Sequence, residues 1–360
     1  MSTPFAKRRR ALQTRLAGEN LHCLLVTHPP DWYYLSGFTG ESGALLVGRK
    51  DSTLITDGRF TIQAAAETTG VKIHQQKGAL SEAAGGVLRV ASRKTVGFDP
   101  AHLSVGEFQA FKKAAGQGVP WKPAPRIVEA LRMRKDATEL AQMRKAANLA
   151  GDVVTGVLGL LKPGVREFEV AAEIEYQMRK RGASGPSFET IVAFGSRSAL
   201  PHARPTAKRL RKNELVVLDL GAILGHYCSD MTRTVYVGRA PQRVRKWYGA
   251  VLEAQGAAIA AVGTGITCGD VDNAARQVLA GHGLDQYFVH STGHGLGLEV
   301  HEAPRVARSQ KARLEPGNVI TIEPGVYVEG VGGIRIEDDV VVHANRTEIL
   351  TRVERDLIEL

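Results

Sequence analysis

Cysteine is scarce in this chain, and the three present, Cys23, Cys228 and Cys268, lie far apart. An odd, scattered set supports neither a disulfide framework nor a zinc-finger spacing, which points to a reducing compartment and hence the cytoplasm. Long apolar runs are missing as well. Nothing approaches the roughly 20 residues of a membrane-spanning helix, so no membrane partner is expected. The apolar stretch LHCLLV (21–26) behind the basic N-terminus is too short and too polar for a signal-peptide core. Aromatic residues make up only 6%, and none interrupts the basic clusters KRRR (7–10), RMRK (132–135) and KRLRK (208–212). A surface that binds nucleic acid interleaves such charge with stacking rings. The formal net charge of +10 therefore reads as a basic, soluble surface with no nucleic-acid partner.

What is present is enough apolar material, 43% of 360 residues, for more than one core. Residues 1–125 alternate short apolar strands (LHCLLV, GALLVG, DSTLIT) with amphipathic helices (RFTIQAAAETT, SVGEFQAFKKAAG), an α/β pattern. Residues 126–135, rich in charge and following three prolines, read as a linker with a short helix. From Asp136 onward the pattern changes. Asp136 and Glu139 have capping-box spacing, and the helix they open is followed by a second ending at Gly182. Two more helices are predicted at 242–262 and 270–283, with hairpin-linked strands between and after the pairs. Residues 136–360 thus read as an antiparallel α+β domain.

Four acids stand where strands should be buried. LVVLDLGAI is apolar on both alternating faces around Asp219, and a carboxylate there is costly unless paired, protonated or metal-bound. Asp230, in YCSDMTRT, falls on the next strand; a tight turn at Leu224-Gly225 would set it opposite Asp219. Glu323 in VITIEPGVY and Glu337 in GGIRIEDD repeat the arrangement about a loop centred on Gly330. Facing carboxylates repel at the roughly 5 Å of cross-strand partners, so something cationic belongs between them. VHSTGHGLGLEVHE (289–302) adds His290, His294 and His301 on a segment too glycine-rich for a helix. Oxygen ligands with one imidazole favour manganese, cobalt or zinc over copper, and four acids leave room for two ions.

LDLGAILGHYCSDMTRT, STGHGLGLEVHEAP, TIEPGVY and GIRIEDD together resemble the metal-ligand motifs of the creatinase/methionine-aminopeptidase family, the pita-bread metallopeptidases. The proline-specific branch, prolidase and aminopeptidase P, is the nearest match. YYLSGFTGESGALLV and LITDGRF are similar to that branch's N-terminal domain. The resemblance implies a pita-bread catalytic domain behind a smaller creatinase-like one, and a homodimer. It further implies a pair of divalent ions per subunit, manganese foremost and cobalt or zinc next, held by Asp219, Asp230, His294, Glu323 and Glu337. Asp230 and Glu337 would bridge the ions, and Glu323 would also shuttle the proton. His290, His301 and His202 would flank the scissile carbonyl. Arg335, alternating onto the face of Glu337, would anchor the acids. Arg305 resembles the arginine that prolidases use for the free carboxylate of a dipeptide. The implied substrate is a proline-containing di- or oligopeptide, with Xaa-Pro dipeptidase ahead of aminopeptidase P. Two other readings stay open at this point: a metal-free member acting as a binding protein, and a metal-independent hydrolase resembling creatinase.

Overall fold

In the computed structural model, which describes residues 3–89 and 94–360, the chain forms two compact units, Met1–Arg132 and Met133–Leu360. The first is an α/β layer built on one six-stranded mixed sheet. Its strand order is Lys72–Gln75, Ser52–Thr56, Ala44–Gly48, Cys23–Val26, Val96–Phe98, Trp121–Pro123. Cys23–Val26 lies near the middle and is buried along its whole length, as a strand covered on both faces must be. Helix Val105–Ala115 starts with a capping box, Ser104 and Glu107, and lays Phe111 and Ala115 on the sheet.

Two of the four residues of the KRRR cluster are interior. Arg8 donates to the carbonyl of Tyr34 and Arg9 to those of Leu35 and Thr69, so this charge is spent on backbone rather than presented outward. Within 126–135 the structure forms a short helix, Glu129–Arg132, and the division between the two units falls after it. Ile127, Val128 and Arg132 are buried, and Arg132 donates to Asp31 at 2.7 Å, which ties this helix into the first unit.

The second unit repeats one plan. Helices Ala137–Val157 and Glu167–Lys180 pack on the sheet Ile191–Phe194, Glu214–Leu220, Met231–Val237 and Ile358–Glu359. Helices Gln242–Ala261 and Cys268–Gly281 pack on strands around Val319–Ile322 and Asp338–Val342. The Asp136–Glu139 capping box is formed as the spacing predicts. Each helix pair closes its own apolar core, and the inner strands of both halves carry the acids. No helix among the described residues is long and apolar enough to cross a membrane.

A buried acid also fixes the loop that carries His202. Glu167, fully buried, accepts from the backbone N–H of Phe194 (3.0 Å), Arg197 Nε (3.0 Å), and both the N–H (2.9 Å) and Oγ1 (2.6 Å) of Thr206. Glu167→Ala leaves these donors unmatched and is expected to cost about 3 kcal/mol, read from urea unfolding. A change below about 0.5 kcal/mol would mean that the network carries no stability.

Candidate metal centre

Asp219 lies near the end of Glu214–Leu220 between Leu218 and Leu220, both fully buried. The hairpin that follows turns at Gly225 and His226, both at positive φ (56° and 71°), the backbone that a two-residue hairpin turn requires. This is one residue later than the sequence suggests. Asp219 therefore faces Thr232, not Asp230. The shift moves the partner by two positions, which keeps the parity of the pleat, so Asp230 remains on Asp219's face as its diagonal neighbour.

The second acid pair holds the expected register. Val319–Ile322 pairs with Asp338–Val342, and Gly325–Val328 with Gly332–Arg335, in one continuous register about Gly330. Glu323 and Glu337 occupy facing positions in the gap between the two ladders. Between them Pro324 keeps one ladder bond, accepting from the N–H of Ile336 at 3.5 Å. Glu323 and Glu337 are then the alternate pair whose N–H groups point away from each other, to Thr292 O (2.8 Å) and Thr232 O (3.1 Å), which joins this hairpin to the first. The glycines of the histidine segment have a steric cause. A Cβ on Gly293 would stand 1.9 Å from Thr321 O, and one on Gly295 2.3 Å from Ala303 O. Only glycine lets strand Gly293–Gly295 fit between its neighbours with His294 turned toward the acids.

His294 Nδ1 lies 3.0 Å from the carbonyl of Gly295, which can only accept, so the proton sits on Nδ1. Nε2 is left bare, 3.5 Å from Glu323 Oε1 and 3.6 Å from Asp230 Oδ2. Burial holds His294 down at about 4, so it stays neutral. Burial pushes the carboxyls of Asp230 and Glu337 well above their ordinary range. Neighbouring acids add to this, Glu337 and Asp219 acting on Asp230, and Glu323 and Asp219 on Glu337. Glu323 is pushed up to about 7, by burial first. One guanidinium stands against four carboxylates: Arg335 Nη2 donates to Asp219 Oδ2 at 2.5 Å. Its Nε donates to Thr232 Oγ1 (2.9 Å), and Thr232 in turn donates to Glu337 Oε2 (2.6 Å).

This donor set fits a divalent cation. Asp219 Oδ1 is buried without a hydrogen-bond partner. Ligand atoms of Asp230, His294 and Glu337 all lie within 4.8 Å of one another. Asp219, Asp230, His294, Glu323 and Glu337 line a cavity of about 290 Å³ together with His202, His301, Phe188, Ile191 and Val300. His301 stacks edge-on to His294 with centroids 4.4 Å apart, and His202 is exposed on the cavity's rim.

Two of the remaining residues stand elsewhere. His290 does not line the cavity, and neither ring nitrogen is free: Nδ1 donates to Ser291 O (2.8 Å), and Nε2 accepts from the Tyr327 hydroxyl (2.8 Å). Tyr327 accepts in turn from Arg335 Nη1 at 2.6 Å. His290 thus braces Tyr327 and Arg335, with Nδ1 3.9 Å from Glu323 Oε2 at the cavity's edge. Arg305 is exposed and stands directly across the strand pair from His294, not among the residues lining the cavity. Sequence reasoning missed Thr232 and Tyr327. Thr232 could have been found, since it shares strand parity with Asp230. It also missed Asp272, which accepts from the N–H and Oγ1 of Thr292 (3.1 and 2.8 Å), and Arg276, whose Nη2 donates to His290 O (2.6 Å). Both brace the segment leading into His294.

Helix-covered sheets around buried acids and one bare imidazole form a pocket suited to a divalent metal, and its class follows from the relatives. Residues 141–344 match the model of metallopeptidase family M24, and residues 8–134 match the creatinase/prolidase N-terminal domain. The chain belongs to metallopeptidase family M24, and membership implies a divalent metal. It is 36% identical over 341 residues to an Xaa-Pro dipeptidase of Pyrococcus horikoshii, covering 94% of this chain and 95% of that one. Among solved structures, an Xaa-Pro dipeptidase from Bacillus anthracis aligns with a TM-score of 0.96 at 36% identity, covering 99% and 100% of the two chains. An X-Pro aminopeptidase from Thermotoga maritima aligns at 0.90 and 34%, covering 97% and 99%.

The raised carboxyls make cation binding depend on pH. A cation must displace the protons they hold, so affinity rises with pH until Glu323, near 7, is ionised. His294, near 4, does not compete in that window. Manganese titrated into chelator-stripped protein should bind at least about tenfold more weakly near pH 6 than near pH 7.5, with proton release on binding. Asp219→Asn should weaken binding at both. Equal affinity at the two pH values would contradict the electrostatic account.

Proposed function

We propose that this chain hydrolyses Xaa-Pro bonds with two divalent ions, manganese foremost, held by Asp219, Asp230, His294, Glu323 and Glu337, with Asp230 and Glu337 shared between them. The observation that carries this reading is the meeting of all five side chains in one cavity, on strands that leave their acids almost without counter-charge. When bound, the ions supply an activated water and polarise the scissile carbonyl. Glu323, with its carboxyl near 7, accepts a proton at neutral pH and returns it to the departing proline nitrogen. His301 and His202, lining the same cavity, reach the carbonyl oxygen as donors. Arg335 holds Asp219 directly and Glu337 through Thr232, and His290 supports it through Tyr327. An Xaa-Pro bond is a tertiary amide without an N–H. Its recognition falls to shape, for which Phe188, Ile191 and Val300 provide apolar wall.

Within this reading the dipeptidase is favoured. Arg305 is solvent-facing and sits across from His294, where a planar guanidinium suits the free carboxylate of an Xaa-Pro dipeptide. Arg305→Ala should raise KM for Xaa-Pro about tenfold or more while sparing Xaa-Pro-Yaa, because only the dipeptide carries its charge there. If wild-type enzyme cleaves the tripeptide faster and the variant behaves alike, the aminopeptidase P reading replaces it.

The same reading includes a homodimer in the cytoplasm. Three buried thiols without a disulfide support the reducing compartment. Light scattering at micromolar concentration should return twice the 38.8 kDa chain mass, and a fully active monomer would remove the dimer from the proposal.

A further inference from the structure

The N-terminal unit carries a cluster of metal-ligand side chains of its own. His28 precedes helix Pro29–Ser36, and its ring stacks on that of His102 with centroids 3.7 Å apart and planes 8° from parallel. Asp31, buried in the first turn of that helix, turns Oδ2 toward His28 Nδ1 at 3.4 Å, while its Oδ1 accepts from Arg132 at 2.7 Å. Glu129 repeats the pattern. Its Oε1 lies 3.0 Å from His102 Nε2, and its Oε2 lies 3.7 Å from Arg126 Nε. Ligand atoms of His28, Asp31 and His102 are all within 4.8 Å of one another, and so are those of Asp99, His102 and Glu129.

A histidine–carboxylate pair alone needs no ion. Here two such pairs meet ring to ring; Asp31 is held at one oxygen by Arg132, Glu129 has Arg126 nearby at 3.7 Å, and each turns its other oxygen to an imidazole. With Glu129 accepting the proton of His102 Nε2, Nδ1 is left as a bare donor atom. Carboxylates orient metal-binding imidazoles in this way. Asp99 is less available, since its oxygens already accept the backbone N–H of Ala101 and of Arg126.

We propose that His28, Asp31 and His102 form a second divalent-cation site, oriented by Glu129 and Arg132 and distinct from the cluster around Asp219. Two imidazoles with one carboxylate suit zinc, with ligand bonds of about 2.0–2.2 Å, and leave a position for water or another ligand. The lone pairs of parallel rings do not converge, so loading turns one ring out of the stack and draws the three atoms inward.

Chelator-stripped full-length protein is dialysed against micromolar zinc, and metal per chain is measured for wild type, His28→Asn and His102→Gln. Each variant should hold one equivalent less than wild type, whatever the centre around Asp219 takes up. Equal zinc in all three overturns the site and leaves two histidine–carboxylate pairs. Anomalous scattering at the zinc edge from soaked wild-type crystals tests the same claim without a variant. A peak between His28 and His102 supports it, and zinc at the Asp219 cluster with none here overturns it.

Discussion

Like charges on neighbouring buried strands govern the centre of the catalytic unit. Two carboxylates about 5 Å apart repel by about 3 kcal/mol even at an effective dielectric of 20, and four such groups converge here with a single guanidinium. Arg335 answers part of that charge through direct contact with Asp219 and, through Thr232, with Glu337. The remainder is unanswered, and burial with mutual repulsion lifts the carboxyls of Asp230, Glu323 and Glu337. A dication would supply the missing charge: the arrangement that makes the strands costly is the one that suits a metal.

The pairing of the second hairpin serves the same end. Ile336 bonds Pro324, so Glu323 and Glu337 form the alternate pair, whose N–H groups point away from each other and bond outward to Thr292 and Thr232. Each acid is thereby held by the strand that carries, or leads to, another ligand.

Much of this centre is legible in the sequence because strand alternation and turn position are local properties. The facing positions of Glu323 and Glu337 follow from a loop on Gly330, where glycine takes φ of 73°. The Asp219–Asp230 register is harder to read, because the turn uses His226 at φ 71°, a conformation that sequence assigns to glycine or asparagine first. His290 shows a different limit. Its spacing from His294 says nothing about Tyr327, a distant residue that occupies its Nε2. The same holds for Arg8, Arg9 and Arg132, which count as surface charge until their long-range partners are known. Local pattern gives the elements and the acids; which nitrogen remains free is a property of packing.

The five acid and imidazole positions are spread from Asp219 to Glu337 and divided between two halves, each closing its own core. No single hairpin or helix pair presents a complete set. A cation held by all five would therefore span both halves, and by mass action it would favour the state in which both are in place.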